Sequence, residues 1–273
     1  MKLAFLKLVK YLMIPWGMFY VLFKGRSNLT ILMYHRVNDD VSKELAVRNK
    51  DFQWQMEYLF RNHYKILSLD EALGFNWAAI NKKEKYAVLT FDDGYEDFYD
   101  NAFPILYKYN YPSIVYLVSD YIESGKVFWW DKNLGDSKLL SWNQIAELKN
   151  SGIVQFGSHS MNHPDFNLLK KDEIRKELYK SQDLLQEKLS QEIKHFSYPR
   201  GIVTHCAQEM IGTYYKSAVS IFDGHEITEH NQKNDFMKIK RMPVQRSDGC
   251  YLFGPRLKGW LIIEEWIKRW KAN

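Results

Sequence analysis

Residues 86–91 read YAVLTF and run without a break into Asp92-Asp93-Gly94. A short, continuous run of apolar, β-branched and aromatic residues suits a strand covered on both faces, as in a parallel sheet. Runs of the same kind recur at 30–35 (TILMYH), 64–67 (YKIL), 113–118 (SIVYLV), 153–158 (IVQFGS), 195–198 (HFSY) and 216–222 (KSAVSIF). Between them lie longer helical patterns at 51–62, 70–76, 97–109, 141–150 and 172–189. The last opens on Asp172 and sets Ile174, Leu178, Ser181 and Leu185 on one stripe, as an amphipathic helix requires. Strand-helix alternation with about seven strands predicts an α/β fold, a distorted (β/α) barrel, in which chemistry gathers where strands end.

The chain has 273 residues, 46% hydrophobic and 26% charged, which excludes a disordered chain and a polytopic membrane protein. Cys206 and Cys250 are its two cysteines, too few for a disulfide framework or a cysteine-rich zinc module. Charge is distributed unevenly. Lys2, Lys7, Lys10, Lys24, Arg26 and Arg36 all precede the first acidic residue, Asp39, and the end from Leu252 onward is again basic. The middle is therefore net acidic, which argues against a nucleic-acid partner.

Both basic ends are apolar. Segment 1–28 contains YLMIPWGMFYVLF at 11–23, interrupted by Pro15 and Gly17 and shorter than the roughly 20 apolar residues that span a bilayer. No small-x-small cleavage pattern follows it, only Lys24-Gly25-Arg26-Ser27. Segment 251–273 sets Leu257, Trp260, Ile263, Ile267 and Trp270 at helical spacing among Lys and Arg, which predicts one basic amphipathic helix. The expected domain plan is a possible membrane anchor over 1–28, a barrel over 29–250 and that helix. The expected location is peripheral or monotopic on a membrane surface. Two packed terminal helices or a secretion signal are the competing readings.

Three strand ends carry candidate chemistry. Asp92 and Asp93 repel each other at a barrel mouth unless something offsets them. A divalent cation does so and leaves one carboxylate free to take a proton; an ordinary Asp-Gly turn is the alternative. Strand 153–158 leads into His159-Ser160-Met161-Asn162-His163-Pro164, where two imidazoles in a tight loop can meet one ion. One carboxylate with two imidazoles gives three ligands and an open position, the pattern of a catalytic metal. Ser197-Tyr198-Pro199-Arg200-Gly201 forms a turn whose amides can face a developing oxyanion.

LTFDDGYEDF at 89–98, GSHSMNHPDF at 157–166 and FSYPRG at 196–201 resemble, in order and spacing, the motifs of the polysaccharide deacetylase family. This is the NodB-homology group, carbohydrate esterase family 4. ILMYHRV at 31–37, FWWD at 128–131 and KRMPV at 240–244 are similar to marks of its branch acting on surface glycans. The resemblance covers about 30–245. It implies a metal-dependent deacetylase with zinc, or else cobalt, nickel or manganese, acting on an N-acetylated sugar of a surface polysaccharide or lipid-linked glycan. A deformylase, an O-acetyl esterase and an inactive glycan-binding barrel are the alternatives on the same scaffold. By position, Asp92 would be the general base, Asp93, His159 and His163 the metal ligands, and the Arg200 N–H an oxyanion donor.

Two departures stand out. Ser197 occupies the place where many members have an Arg that orients the base, so Arg200 or Arg241 is expected to take over. No Leu-x-His motif appears near 243–252, which leaves His35 or His225 to act as general acid.

Overall fold

The computed structural model describes residues 2–24, 27–77, 81, 83–132, 137–221, 227, 233–264 and 266–267. Helix α1 (Lys2–Lys24) leads into β1 (Leu29–Tyr34) and a small ribbon of β2 (Arg36–Val37) and β3 (Ala46–Val47). Then follow α2 (Asn49–Arg61), β4 (Tyr64–Ile66), α3 (Leu69–Gly74), β5 (Lys85–Phe91), α4 (Phe103–Tyr109), β6 (Ser113–Leu117), α5 (Ser119–Ser124) and α6 (Trp142–Asn150). The second half contains β7 (Val154–Ser158), α7 (Lys171–Leu189), β8 (His195–Ser197), α8 (His205–Tyr214), β9 (Ser217–Ser220), β10 (Ile239–Lys240), β11 (Met242–Pro243) and α9 (Phe253–Leu257).

The sheet order is β10-β9-β8-β7-β6-β5-β1-β11, with β4 also on β5 and every pairing parallel. Ile239 and Lys240 pair with β9, while Met242 and Pro243 pair with β1. One extended segment, broken at Arg241, therefore ties the last strand to the first and makes a nearly closed eight-stranded barrel. All seven expected strands are present. The closing one was not predicted, because two-residue pieces show no periodicity.

The strands alternate between two packing layers. Ile31, Val88, Ile114, Tyr116, Val219 and Ile239 pack together in the barrel interior, floored by Leu69 and Ala72 of α3. Leu32, Leu89, Val115, Phe196 and Ala218 face outward onto Phe52 and Met56 of α2, Leu106 of α4, Leu178 of α7 and Ile211 of α8. Burial on both faces is why the sequence shows unbroken apolar runs here.

The two ends differ from expectation. α1 is continuous through Pro15, and Gly17 does not break it. A Cβ at Gly17 would lie 2.0 Å from the Trp260 carbonyl oxygen, so the missing side chain lets the helix press against the C-terminal segment. Lys10 is buried, donating to Gln245 Oε1 at 2.7 Å, Ser247 Oγ at 2.5 Å and Asp248 Oδ1 at 2.8 Å. Arg256 completes this cluster with two bonds to Asp248 and one to Glu264. The single amphipathic helix expected over 251–273 is corrected: α9 stops at Leu257, and Gly259 turns the chain with φ +73° before helix resumes at Ile262. A glycine takes this left-handed conformation at little cost and so ends the helix. Trp270 lies outside the described residues.

Candidate active site

The C-terminal ends of β1, β5, β7 and β8 meet at a cavity of about 810 Å³ bordered by His35, Asp92, Asp93, His159, His163 and Arg200. Each arrives because its strand ends there, and backbone bonds fix the exits: Asp92 N–H donates to Tyr34 O, and His159 N–H to Leu117 O. Beyond each strand the backbone turns through left-handed conformations that non-glycine residues rarely adopt: Asp93 at φ 74°, Ser160 at 66° and His163 at 54°. Such local strain persists where surrounding structure over-determines it, commonly at functional sites.

Asp93, His159 and His163 bring one oxygen and two nitrogens within 4.8 Å of one another. Nε2 of His159 stands 3.5 Å and Nε2 of His163 3.7 Å from Asp93 Oδ1. His159 Nδ1 is 2.7 Å from the Ser197 carbonyl oxygen. A carbonyl only accepts, so Nδ1 carries the proton and Nε2 offers its lone pair to the centre. Burial pushes both imidazoles below the usual histidine range, keeping them neutral. Burial, then the charges of Asp92 and Asp131, push the Asp93 carboxyl well up, and its Oδ1 is buried without a hydrogen-bond partner. An orphaned buried carboxylate oxygen facing two imidazole nitrogens fits a divalent cation in charge and in donor type.

Asp92 has the opposite environment. Burial alone would raise its pKa, but the Arg241 guanidinium outweighs it and holds the carboxyl well below the usual carboxylate range. Arg241 is itself buried and grips Asp92 with two bonds of 2.7 Å. The same guanidinium donates to Thr90 Oγ1 at 3.1 Å and Ser197 Oγ at 2.9 Å, and lies over the Tyr116 ring. Of the two arginines named from the sequence, Arg241 therefore meets Asp92, and Ser197 supports it. The side chain of Arg200 is more than half exposed and pairs with Asp165, both residues bordering the cavity, and the Arg200 backbone takes a left-handed turn (φ 58°).

His35 borders the cavity at the end of β1. Burial lowers its pKa to about 4, against the pull of Asp92, and its Nδ1 has no hydrogen-bond partner. His225 lies outside the described residues. The FWWD segment gains a role that the sequence alone did not reveal. Trp130 packs 5.0 Å from the His163 ring, and its Nε1 donates to the Tyr95 hydroxyl, which donates to Asp131. A buried Asp after two Trp was the available signal.

The family model described as "Polysaccharide deacetylase" matches residues 79–215. The chain is 30% identical over 175 residues to YxkH of Bacillus subtilis, covering 64% of this chain and 57% of that protein. It is 30% identical over 192 residues to a poly-β-1,6-N-acetyl-D-glucosamine N-deacetylase of Staphylococcus epidermidis, covering 64% and 62% of the respective lengths. It thus spans less than two thirds of either relative. Among solved structures, a polysaccharide deacetylase from Bacillus cereus superposes with a TM-score of 0.69 at 25% identity, over 84% of this chain and 68% of that one. The chain belongs to the polysaccharide deacetylase family.

Proposed function

We propose that the protein is a metal-dependent hydrolase that removes the N-acetyl group from an amino sugar of a surface or lipid-linked glycan. The observation that carries this reading is the pairing, on one cavity floor, of an Asp-His-His ligand set with an adjacent carboxylate gripped by a buried arginine. The deacetylase named from Staphylococcus epidermidis supports an N-acetylglucosamine substrate.

Asp93, His159 and His163 would hold a divalent cation, zinc on this reading, since a mixed carboxylate-imidazole set suits it. Bound there, the cation supplies Lewis acidity toward the acetyl carbonyl and lowers the pKa of water. Asp92 is ionised and aimed by Arg241, so it accepts a proton from the attacking water. The Arg200 N–H serves as a donor to the developing oxyanion. The proton that Asp92 takes from the water passes on to the departing nitrogen, with His35, neutral at rest, as its carrier. Acetate and a free amine result. The apolar outer face of α1 supports attachment to a membrane surface.

The test is acetate release from N-acetylglucosamine oligomers by the full chain, with and without chelator. Chelator-sensitive release that returns on adding zinc is the expected result. No release from the metal-loaded protein refutes the reading and leaves an inactive glycan-binding barrel.

A further inference from the structure

α1 is apolar almost all round. A helix of that kind is buried in protein or faces lipid. Here one side is accounted for. Leu6 lines the catalytic cavity, Lys10 sits in the buried ion cluster, Gly17 abuts Trp260, Tyr20 packs edge-on against Trp266, and Val21 meets Gly259. The other side exposes Phe5 (65%), Leu8 (58%), Leu12 (67%), Trp16 (71%), Phe19 (61%) and Leu22 (80%), recurring every three or four residues along one stripe.

The docked side decides the geometry. Contacts run from Leu6 to Val21, about 22 Å at roughly 1.5 Å per residue. A helix crossing about 30 Å of hydrocarbon cannot keep a barrel along most of its length, so α1 lies in the plane of an interface. Lys7 and Lys258 flank the stripe, with Lys7 over the exposed Tyr251 ring and Lys258 over Trp260, a pattern complementary to anionic headgroups. Because Leu6 belongs both to this helix and to the cavity wall, embedding the stripe brings the cavity to the bilayer surface. The cavity wall includes the apolar side chains Leu6, Met33, Val41, Leu45 and Trp129, of which Leu45 and Trp129 are exposed, beside the polar Glu44, Gln245 and Glu264.

We propose that the substrate of this site is an N-acetylated amino sugar carried on a hydrocarbon chain, taken directly from a bilayer in which the outer stripe of α1 is embedded. This rests on the deacetylase reading and narrows it: the sugar reaches the Asp-His-His centre while its hydrocarbon follows the apolar wall past Leu6.

The test compares hexadecyl N-acetyl-β-glucosaminide, in vesicles of phosphatidylethanolamine with phosphatidylglycerol, against the methyl glycoside in solution. The zinc-loaded full chain is used, alongside a Leu12→Glu/Trp16→Glu/Phe19→Glu variant whose altered residues lie outside the cavity lining. The wild type is expected to float with the vesicles and to favour the hexadecyl glycoside by about 10²-fold in kcat/KM. The variant is expected to keep its rate on the methyl glycoside and lose at least about tenfold of that preference. Equal wild-type rates on both glycosides overturn the inference and leave the deacetylase reading standing. A variant that keeps the full preference, or loses both rates alike, also overturns it, as does a wild type that stays out of the vesicles as a dimer shielding the stripe. Failure of the wild type on both glycosides and on soluble oligomers removes the deacetylase reading instead.

Discussion

Replacing Arg241 with Met tests the electrostatics of the site at their tightest point. The guanidinium makes four hydrogen bonds: two to Asp92, one to Thr90 and one to Ser197. Methionine matches the stem and removes all of them, leaving Asp92 as a buried carboxylate with no guanidinium beside it. Breaking one side of a buried pair costs about 3–5 kcal/mol, a large share of the roughly 5–15 kcal/mol that stabilises a domain. Turnover is expected to fall by about 10²–10⁴, the usual contribution of a positioned base. Metal content should remain near the wild-type value, since Asp93, His159 and His163 are untouched. Arg241→Lys retains charge without the two-pronged grip and is expected to fall between. The decisive protein is the double variant Arg241→Met/Asp92→Asn. With the charge removed from both partners, it should regain about 1–3 kcal/mol over Arg241→Met alone, although it stays inactive. Urea unfolding, zinc content and acetate release on the four proteins read these effects. If Arg241→Met keeps wild-type turnover and loses less than about 1 kcal/mol, or the double variant shows no recovery, Arg241 does not hold the base and the reasoning fails.

Asp92→Asn is expected to keep zinc while losing about 10²–10⁴ in rate, whereas Asp93→Ala and His159→Ala lose zinc and activity together; zinc content measured beside acetate release shows the reverse if the two aspartates are swapped. Gly17→Val should lower the midpoint of thermal unfolding, since its Cβ would meet the Trp260 carbonyl at 2.0 Å and push α1 off the barrel. At the opposite end of the barrel, His195 Nε2 stands 3.2 Å from Asp70 Oδ1 and holds that carboxyl well below the usual range, against partial burial. A depressed carboxylate stabilises the fold above its unfolded value, and that stability is lost as pH falls toward the folded value. Asp70→Asn should therefore cost at most about 1 kcal/mol at pH 7, discounted because Asp70 is partly exposed, with the difference shrinking below about pH 4 in urea unfolding.

The barrel and three of its strand-end clusters were legible because each rests on local pattern. An unbroken apolar run such as YAVLTF marks a strand covered on both sides, and whatever polar residue follows it must lie at the mouth. Long-range pairing was less legible. Nothing near KRMPV reveals a strand, since β10 and β11 are two residues each and take their conformation from partners in β9 and β1. The choice between Arg200 and Arg241 depended on that closure, which a sequence window cannot show. Lys10 reads as an interruption of an apolar helix, and its partners Gln245, Ser247 and Asp248 lie over 230 residues away. Gly259 was visible, yet the helical spacing of Leu257, Trp260 and Ile263 masked the turn it permits.

Adjacent residues on one strand end have thus been given opposite electrostatic environments. Asp92 and Asp93 are both buried, and each raises the cost of charge on the other. Arg241, arriving from the break in the closing strand, grips Asp92 directly, its fork bonding Asp92, Thr90 and Ser197, and makes no bond to the Asp93 Oδ1. Asp92 can then stay ionised with or without a cation. Asp93 has no guanidinium bonded to it, and two neutral imidazoles face its orphaned oxygen, so its charge would be tolerable when a cation joins them. Pairs of titratable groups whose surroundings drive their pKa values apart commonly divide the work of a site between them. On the proposed mechanism this division follows from the fold: the segment that closes the barrel also determines which aspartate would be free to move a proton and which would be left to a metal.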